Sequence, residues 1–264
     1  MRKSRKSFNK ESAVSETVGF IIIFGIMMTG IGLVTLYGYP LLLQEQSNAN
    51  IRNMERNMIV LQNEINGLTY KNIPYQETTL QVSGGTLMVD EQPSTPRPYF
   101  EISKAAALTY LTLYPGEFEY ISDNGDTVIV LENGAVHKRY WSSLEGSVMI
   151  AEPRWFYDEP AETFVMSFFR LNATDDMAQT GIGTVAMMIT NSSEQTYDVT
   201  GSTIKVEYRA NPEDNYNIAW RNYFNDPALK MTFKSGDGFY SEYHLDSGVK
   251  KLVIKTYNIT VLSI

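Results

Sequence analysis

The sequence predicts an α+β protein: a long N-terminal transmembrane and stalk helix followed by a mainly antiparallel β-sandwich head. Three observations carry this reading. No charged residue falls between Glu16 and Glu45, and residues 18–43 are almost wholly apolar. Residues 51–68 then place apolar side chains at alternating steps of three and four. From residue 70 onward, short runs of β-branched and aromatic residues are separated by Gly, Pro, Asn and Asp, the pattern of strands joined by turns.

The first segment is long enough to cross a hydrocarbon core of about 30 Å at about 1.5 Å per residue. Arg2, Lys3, Arg5, Lys6 and Lys10 stand in front of it, and Gln, Asn and Ser follow it. That asymmetry predicts a cytoplasmic N-terminus and an extracellular C-terminal domain, with membrane lipid as the first partner. A secretory signal has an apolar region of about 7–15 residues and a small-residue cleavage site behind it. This one is longer and runs into Tyr39-Pro40-Leu41-Leu42-Leu43, so it is expected to stay as a single-pass signal-anchor. Gly25, Thr29 and Gly32 share one helical face, where small residues let another helix approach closely. Pro40 withholds a backbone hydrogen bond and predicts a kink near the outer boundary.

The lead-in reads Lys10-Glu11-Ser12-Ala13-Val14-Ser15-Glu16-Thr17-Val18-Gly19-Phe20. A short basic leader, a small residue and a Val-Ser-Glu opening to a long apolar helix resemble the archaeal type IV pilin-like proteins, archaellum subunits included. The resemblance covers roughly the first 45 residues. It implies a prepilin peptidase that cuts between Ala13 and Val14 and leaves the helix on the mature protein. It also implies assembly with copies of itself or other pilin-like subunits. Glu16 would then be the third residue of the mature chain, well placed for the positive end of the helix dipole and for a neighbour's free amino group.

The expected layout is therefore a basic leader over residues 1–13, a membrane helix over 14–43, a helical stalk over 44–69 and an extracytoplasmic β-rich domain over 70–264. In the stalk, Ile51, Met54, Met58, Leu61, Ile65 and Leu68 form a seam of just over two heptads. That is short for a free coiled coil, so the seam is expected to pack on the protein's own β domain. If helix runs unbroken over residues 17–68, it is a rod of roughly 78 Å.

In the head, residues 79–82 and 86–90 flank Ser83-Gly84-Gly85 and read as a hairpin. Residues 93–98 hold three prolines and read as a stiff loop or edge. Residues 117–121, 127–132 and 135–141 read as a meander turned by 122–126 and Asn133-Gly134. Further strands are expected at 147–151, 163–171, 183–190, 197–208, 229–234, 239–244 and 250–262. One helix interrupts them, with Asn211 as its cap and Pro212 in its first turn; Ile218, Trp220, Tyr223 and Phe224 supply its contact surface.

Charge and composition narrow the function. Residues 1–16 carry a net charge of +3, against −8 for the whole chain, so the rest is strongly acidic and unsuited to nucleic acid. The absence of cysteine excludes a disulfide scaffold, a thiolate zinc site and a cysteine nucleophile. Aromatic residues, with 17 Tyr, 12 Phe and 3 Trp, supply the core instead. His137 and His244 lack metal-ligand spacing and read as surface or sheet residues. Asp123-Asn124-Gly125-Asp126 clusters oxygens but reads as a turn rather than a calcium loop. No catalytic residue, metal ligand or cofactor is predicted. Three acceptor sequons are candidates for N-glycosylation: Asn172-Ala173-Thr174 and Asn191-Ser192-Ser193 at strand ends, and Asn258-Ile259-Thr260 inside a strand.

These readings predict a membrane-anchored, surface-exposed glycoprotein of archaeal pilin type, structural or adhesive and not an enzyme. An uncleaved single-pass envelope binding protein is the alternative. An anchored hydrolase would require a pocket with converging carboxylates.

Overall fold

The structure, a computed structural model, describes residues 10–71, 73–90, 98–104, 108–141, 146–212 and 214–264, with side chains described from Thr17 onward. The chain divides into two units, Met1–Ala49 and Asn50–Ile264. In the first, α1 (Lys10–Leu33) leads into a π-helical turn, Val34–Gly38, and then into α2 (Tyr39–Tyr70), whose later part belongs to the second unit. The π turn lies directly ahead of Pro40, and the Tyr39 N–H reaches back to the Val34 carbonyl. Widening the helix there accommodates a residue that has no N–H to donate and whose ring crowds the preceding turn.

The second unit holds fourteen strands among the described residues. They are β1 (Tyr75–Asp90), β2 (Tyr99–Lys104), β3 (Leu108–Leu113), β4 (Glu117–Ser122), β5 (Thr127–Glu132), β6 (Ala135–Tyr140) and β7 (Ser147–Ala151). Then come β8 (Phe156–Asp158), β9 (Thr163–Ala173), β10 (Met177–Asp198), β11 (Ile204–Arg209), β12 (Met231–Gly236), β13 (Tyr240–Leu245) and β14 (Lys251–Ser263). A helix, α3 (Asn217–Phe224), sits between β11 and β12. Nine strands form one sheet in the order β7-β6-β5-β4-β1-β10-β14-β9-β8, and five form another in the order β12-β13-β11-β2-β3. Every pairing is antiparallel except β14 with β9.

The large sheet has both faces covered, and β5 shows how. All six of its residues are buried. Val128 and Val130 belong to the core shared with the five-stranded sheet and α3, whereas Ile129 and Leu131 belong to the core shared with α2. Successive strand residues point to opposite faces, so a strand buried on both sides has to be apolar throughout, as Thr127-Val-Ile-Val-Leu nearly is. On the helix side, Ile51, Met54, Met58, Leu61, Ile65 and Leu68 are all buried. The seam therefore packs on the protein's own sheet, as its short repeat predicts. Each such side chain contributes about 1.5–3 kcal/mol on burial. Polar contacts pin the same helix: Gln62 Nε2 donates to the carbonyls of Gly134 (2.7 Å) and Glu152 (2.9 Å), and Asn57 Nδ2 to Gln81 (2.9 Å).

Several expectations need correction. Residues 79–90 do not reverse at Ser83-Gly84-Gly85; β1 runs straight through, with a register shift between Val82 and Leu87. Gly84 takes φ +66, and Gly85 lets the Tyr120 ring and the Ile121 carbonyl approach where a Cβ would stand at 2.3–2.6 Å. The glycine pair makes a bulge, and Tyr120 Oη donates to the carbonyls of Ser83 and Gly84, the latter also accepting the Asp123 N–H. The runs at 183–190 and 197–208 belong to a 22-residue β10 and a separate β11. The helix begins at Asn217 rather than after Asn211, because Asp214 is drawn into an ion pair with Arg139 and Asn215 Oδ1 takes the Asn217 N–H. β2, β3 and β8 are additions. The proline-rich loop expected at residues 93–98 lies outside the described residues, apart from Pro98. The meander β4–β6 and strand β7 stand within a residue of the predicted bounds, and Asn133 and Gly134 both take positive φ, as a tight two-residue hairpin requires.

Candidate functional site

Two regions have chemistry that a packed β protein does not need. The first is the apolar helix. Along residues 18–43 the large side chains, among them Phe20, Ile21, Phe24, Met28, Ile31, Leu36 and Leu42, are all more than 45% exposed. An all-round apolar surface of this kind is stable in lipid or against other apolar helices, and not in water. It is one helix, long and apolar enough to cross a membrane. Thr29 Oγ1 donates to the Gly25 carbonyl (2.8 Å), so the hydroxyl on the small-residue face is satisfied within the helix. A Cβ added at Gly25 or Gly32 would meet no atom within 4 Å, so that face is open. Ala13, Val14 and Glu16 have helical backbone within α1, and their side chains lie outside the described residues.

The second region is a buried polar cluster that sequence reasoning missed. It is assembled by register. Glu117 on β4 stands opposite Glu132 on β5, and Glu119, Val130 and His137 follow one another across β4, β5 and β6. Glu132, His137 and Arg139 point to the face that α3 and β11 cover, where Tyr208, Tyr216 and Trp220 close over them. Trp220 Nε1 donates to Glu132 Oε2 (2.9 Å) and Tyr208 Oη to the same oxygen (3.2 Å). His137 stacks on Tyr216 with ring centroids 5.2 Å apart, and its Nε2 lies 3.9 Å from Glu132 Oε2. Among the described residues neither ring nitrogen of His137 has a hydrogen-bond partner. Arg139 pairs with Asp214 and also donates to Tyr216 Oη (3.4 Å).

Burial sets the ionisation of these groups. It pushes the Glu132 carboxyl up to about 7, against the lowering effect of its Trp220 and Tyr208 donors. It also raises Glu119 to about 7, with Asp214 adding to the shift, and Glu117 well above the usual carboxylate range, with Glu132 adding. The same burial holds His137 down at about 3. The cluster therefore stores protons on carboxyls and withholds one from the imidazole. Converging carboxylates are what a hydrolase would need. Here Glu132 and His137 are fully buried, so these groups face core rather than a substrate.

The remaining candidates fall elsewhere. His244 is a half-buried residue of β13 whose Nε2 lies 2.8 Å from Glu242 Oε1. The oxygens of Ser122 to Asp126 bond one another: Ser122 Oγ donates to Asn124 Oδ1 (2.7 Å), which also accepts the Asp126 N–H (3.3 Å), as an ordinary turn requires. Among the described residues no group of three His, Asp or Glu is placed to hold a metal ion. A surface cleft of about 440 Å³ lies between Tyr157, Glu159, Lys230 and residues 246–249. Asn172 lies in β9, Asn191 and Asn258 face each other across β10 and β14, and of the three Asn191 is exposed and the others half-buried. The expectation that Asn191 ends a strand is thus corrected, because β10 continues to Asp198.

Fold and helix together define a chain with one membrane-length apolar helix and a β-rich domain of two sheets. The chain belongs to the family of unknown function DUF7289, whose model matches residues 13–261 and so takes in both the helix and the β domain. No curated protein and no solved structure matches it.

Proposed function

We propose that the chain is a membrane-anchored surface protein of archaeal pilin type, with its N-terminus in the cytoplasm, its β domain outside and a structural or adhesive role rather than a catalytic one. The observation that carries this is the division of apolar surface. The β domain already covers its own seam with α2, so residues 18–43 are left bare over their whole circumference. Lipid, and then other copies of the helix, are the natural occupants of such a surface. The basic flank favours the stated orientation. The family model spans the apolar helix together with the β domain, which supports the helix as an integral part of the protein.

The test is the mass of the protein extracted from its native membranes. The proposal expects loss of the segment up to Ala13 and, after chemical cross-linking, ladders of more than one subunit. An intact leader with only monomers would overturn the pilin-type reading. One observation favours that second reading, an uncleaved anchored binding protein. Glu11 and Ser12 separate Lys10 from the junction, where the resemblance calls for a basic residue close before the cut.

A further inference from the structure

The three sequons are far apart in sequence, but the nine-stranded sheet gathers them. β14 lies between β10 and β9, with Asn258 opposite Asn191 on one side and Thr260 level with Asn172 on the other. A one-residue irregularity between Ile189 and Asn191 is decisive. Ile189 pairs with Ile259 and packs toward α2, whereas Asn191 pairs with Asn258, so the extra residue Thr190 turns Asn191 onto the opposite face. Asn172 and Asn258 share that face, because Leu171 and Ile259 between them belong to the core under α2. Farther along the same face, Phe164, Met166, Phe168, Leu252 and Ile254 are covered by the five-stranded sheet. The asparagines stand just beyond that cover, where Asn191 is exposed and Asn172 and Asn258 are half-buried. Among the described residues none of the three side-chain amides is engaged in a hydrogen bond, and the hydroxyls of Ser193 and Thr260 follow on the same face two residues on.

We infer that this uncovered end of the sheet is a single N-glycosylated face, and that Asn191 and Asn258 exclude each other there. The inference rests on the extracellular placement of the β domain proposed above. In the transfer, the asparagine amide nitrogen forms a bond to the anomeric carbon of a saccharide carried on a lipid phosphate. The bond from that carbon to the phosphate oxygen breaks, the lipid phosphate leaves and the amide gives up one proton. Directly opposed residues on neighbouring strands stand about 4.5–5.5 Å apart, less than the breadth of a substituted pyranose ring. A saccharide on one of the pair therefore blocks the other. Asn191 is the favoured member, since β10 beyond Met188 has lost β1 as a neighbour, whereas Asn258 has strands on both sides. A half-free strand opens locally at lower cost than a central one.

The experiment is intact-mass and glycopeptide analysis of the full chain expressed in its native cells, beside Asn172→Gln, Asn191→Gln, Asn258→Gln and Ser193→Ala. Ser193→Ala removes the sequon and leaves Asn191 itself in place. One or two saccharides per chain are expected, on Asn191 with or without Asn172, and Ser193→Ala should remove the Asn191 species as fully as Asn191→Gln does. No saccharide, three per chain, or one on Asn258 alone in the unsubstituted protein would overturn the inference. Ser247→Cys, an exposed and unique thiol in a chain without cysteine, is labelled in parallel on intact cells with a membrane-impermeant maleimide. Labelled but unmodified protein refutes the glycosylated face and leaves the anchor standing. Protein that is neither labelled nor modified refutes the outward placement as well.

Discussion

Replacing Glu132 by Gln isolates the proton that the buried cluster stores. The glutamine keeps an amide oxygen for the Trp220 Nε1 and Tyr208 Oη donors and loses the charge. The wild-type carboxyl titrates at about 7 in the folded chain, against 4.5 for its ordinary value. At about 1.4 kcal/mol for each pH unit of displacement, that is worth roughly 3 kcal/mol. Because the folded value is the higher one, this contribution is fully present below pH 4.5 and is lost as pH rises through 7. His137 works the other way. Its folded value of about 3 lies below the ordinary 6.5, so its contribution is present above pH 6.5 and is lost as pH falls through 3. The two windows overlap between pH 4.5 and 6.5, and the histidine's contribution, common to both proteins, cancels in the difference between variant and wild type. Chemical unfolding of the full chain in detergent, followed by the fluorescence of buried Trp155 and Trp220, reads the difference. The stability of Glu132→Gln relative to wild type should rise by roughly 3 kcal/mol from pH 4.5 to pH 8. Parallel pH profiles for the two proteins would refute the account of the cluster.

Three further outcomes follow from the packing. Leu61→Ala removes a fully buried side chain between α2 and the large sheet and should cost about 2–5 kcal/mol, whereas Val60→Ala, on the exposed side of the same turn, should change stability by less than about 0.5 kcal/mol in the same unfolding assay. Gly85→Ala brings a Cβ within 2.3 Å of the Ile121 carbonyl and should destabilise by more than about 3 kcal/mol; Gly125→Ala, in open space at φ +69, should cost about 1–2 kcal/mol of backbone strain. Met28→Arg combined with Ile31→Arg places two charges near the middle of the apolar helix, at about 2.5–3.5 kcal/mol each, and should shift the chain from the alkali-resistant membrane fraction to the soluble or degraded pool.

What the sequence made legible was local. The meander from Glu117 to Tyr140 could be read because Asp-Asn-Gly-Asp and Asn-Gly are turn chemistries that act over four residues. The seam on α2 could be read because helical periodicity reports a buried stripe directly. The apolar span needed only its length and its lack of charge. Misreadings came where a local signal has two structural meanings. Ser83-Gly84-Gly85 announces positive φ, and the chain uses it for a bulge in a continuous strand rather than a reversal. The polar run Asn191 to Thr196 looks like a loop because both its faces are solvated, yet its backbone pairs with β14 throughout. The alternation of Tyr99 to Lys104, with Phe100 and Ile102 buried, was the available sign of β2 beside a proline-rich stretch. The buried cluster left no such sign. Glu117, Glu132, His137, Tyr208 and Trp220 come from five separate elements and meet only through strand register, so each reads alone as an ordinary polar or aromatic residue.

The apolar helix is proposed to root the chain in the membrane with the β domain outside. Electron microscopy of native cells carrying a C-terminally tagged chain, with gold-labelled antibody applied before any permeabilisation, tests it most directly. Gold is expected along the outer cell surface or on filaments leaving it. Gold that appears only after permeabilisation, on the cytoplasmic side of the membrane, would contradict it.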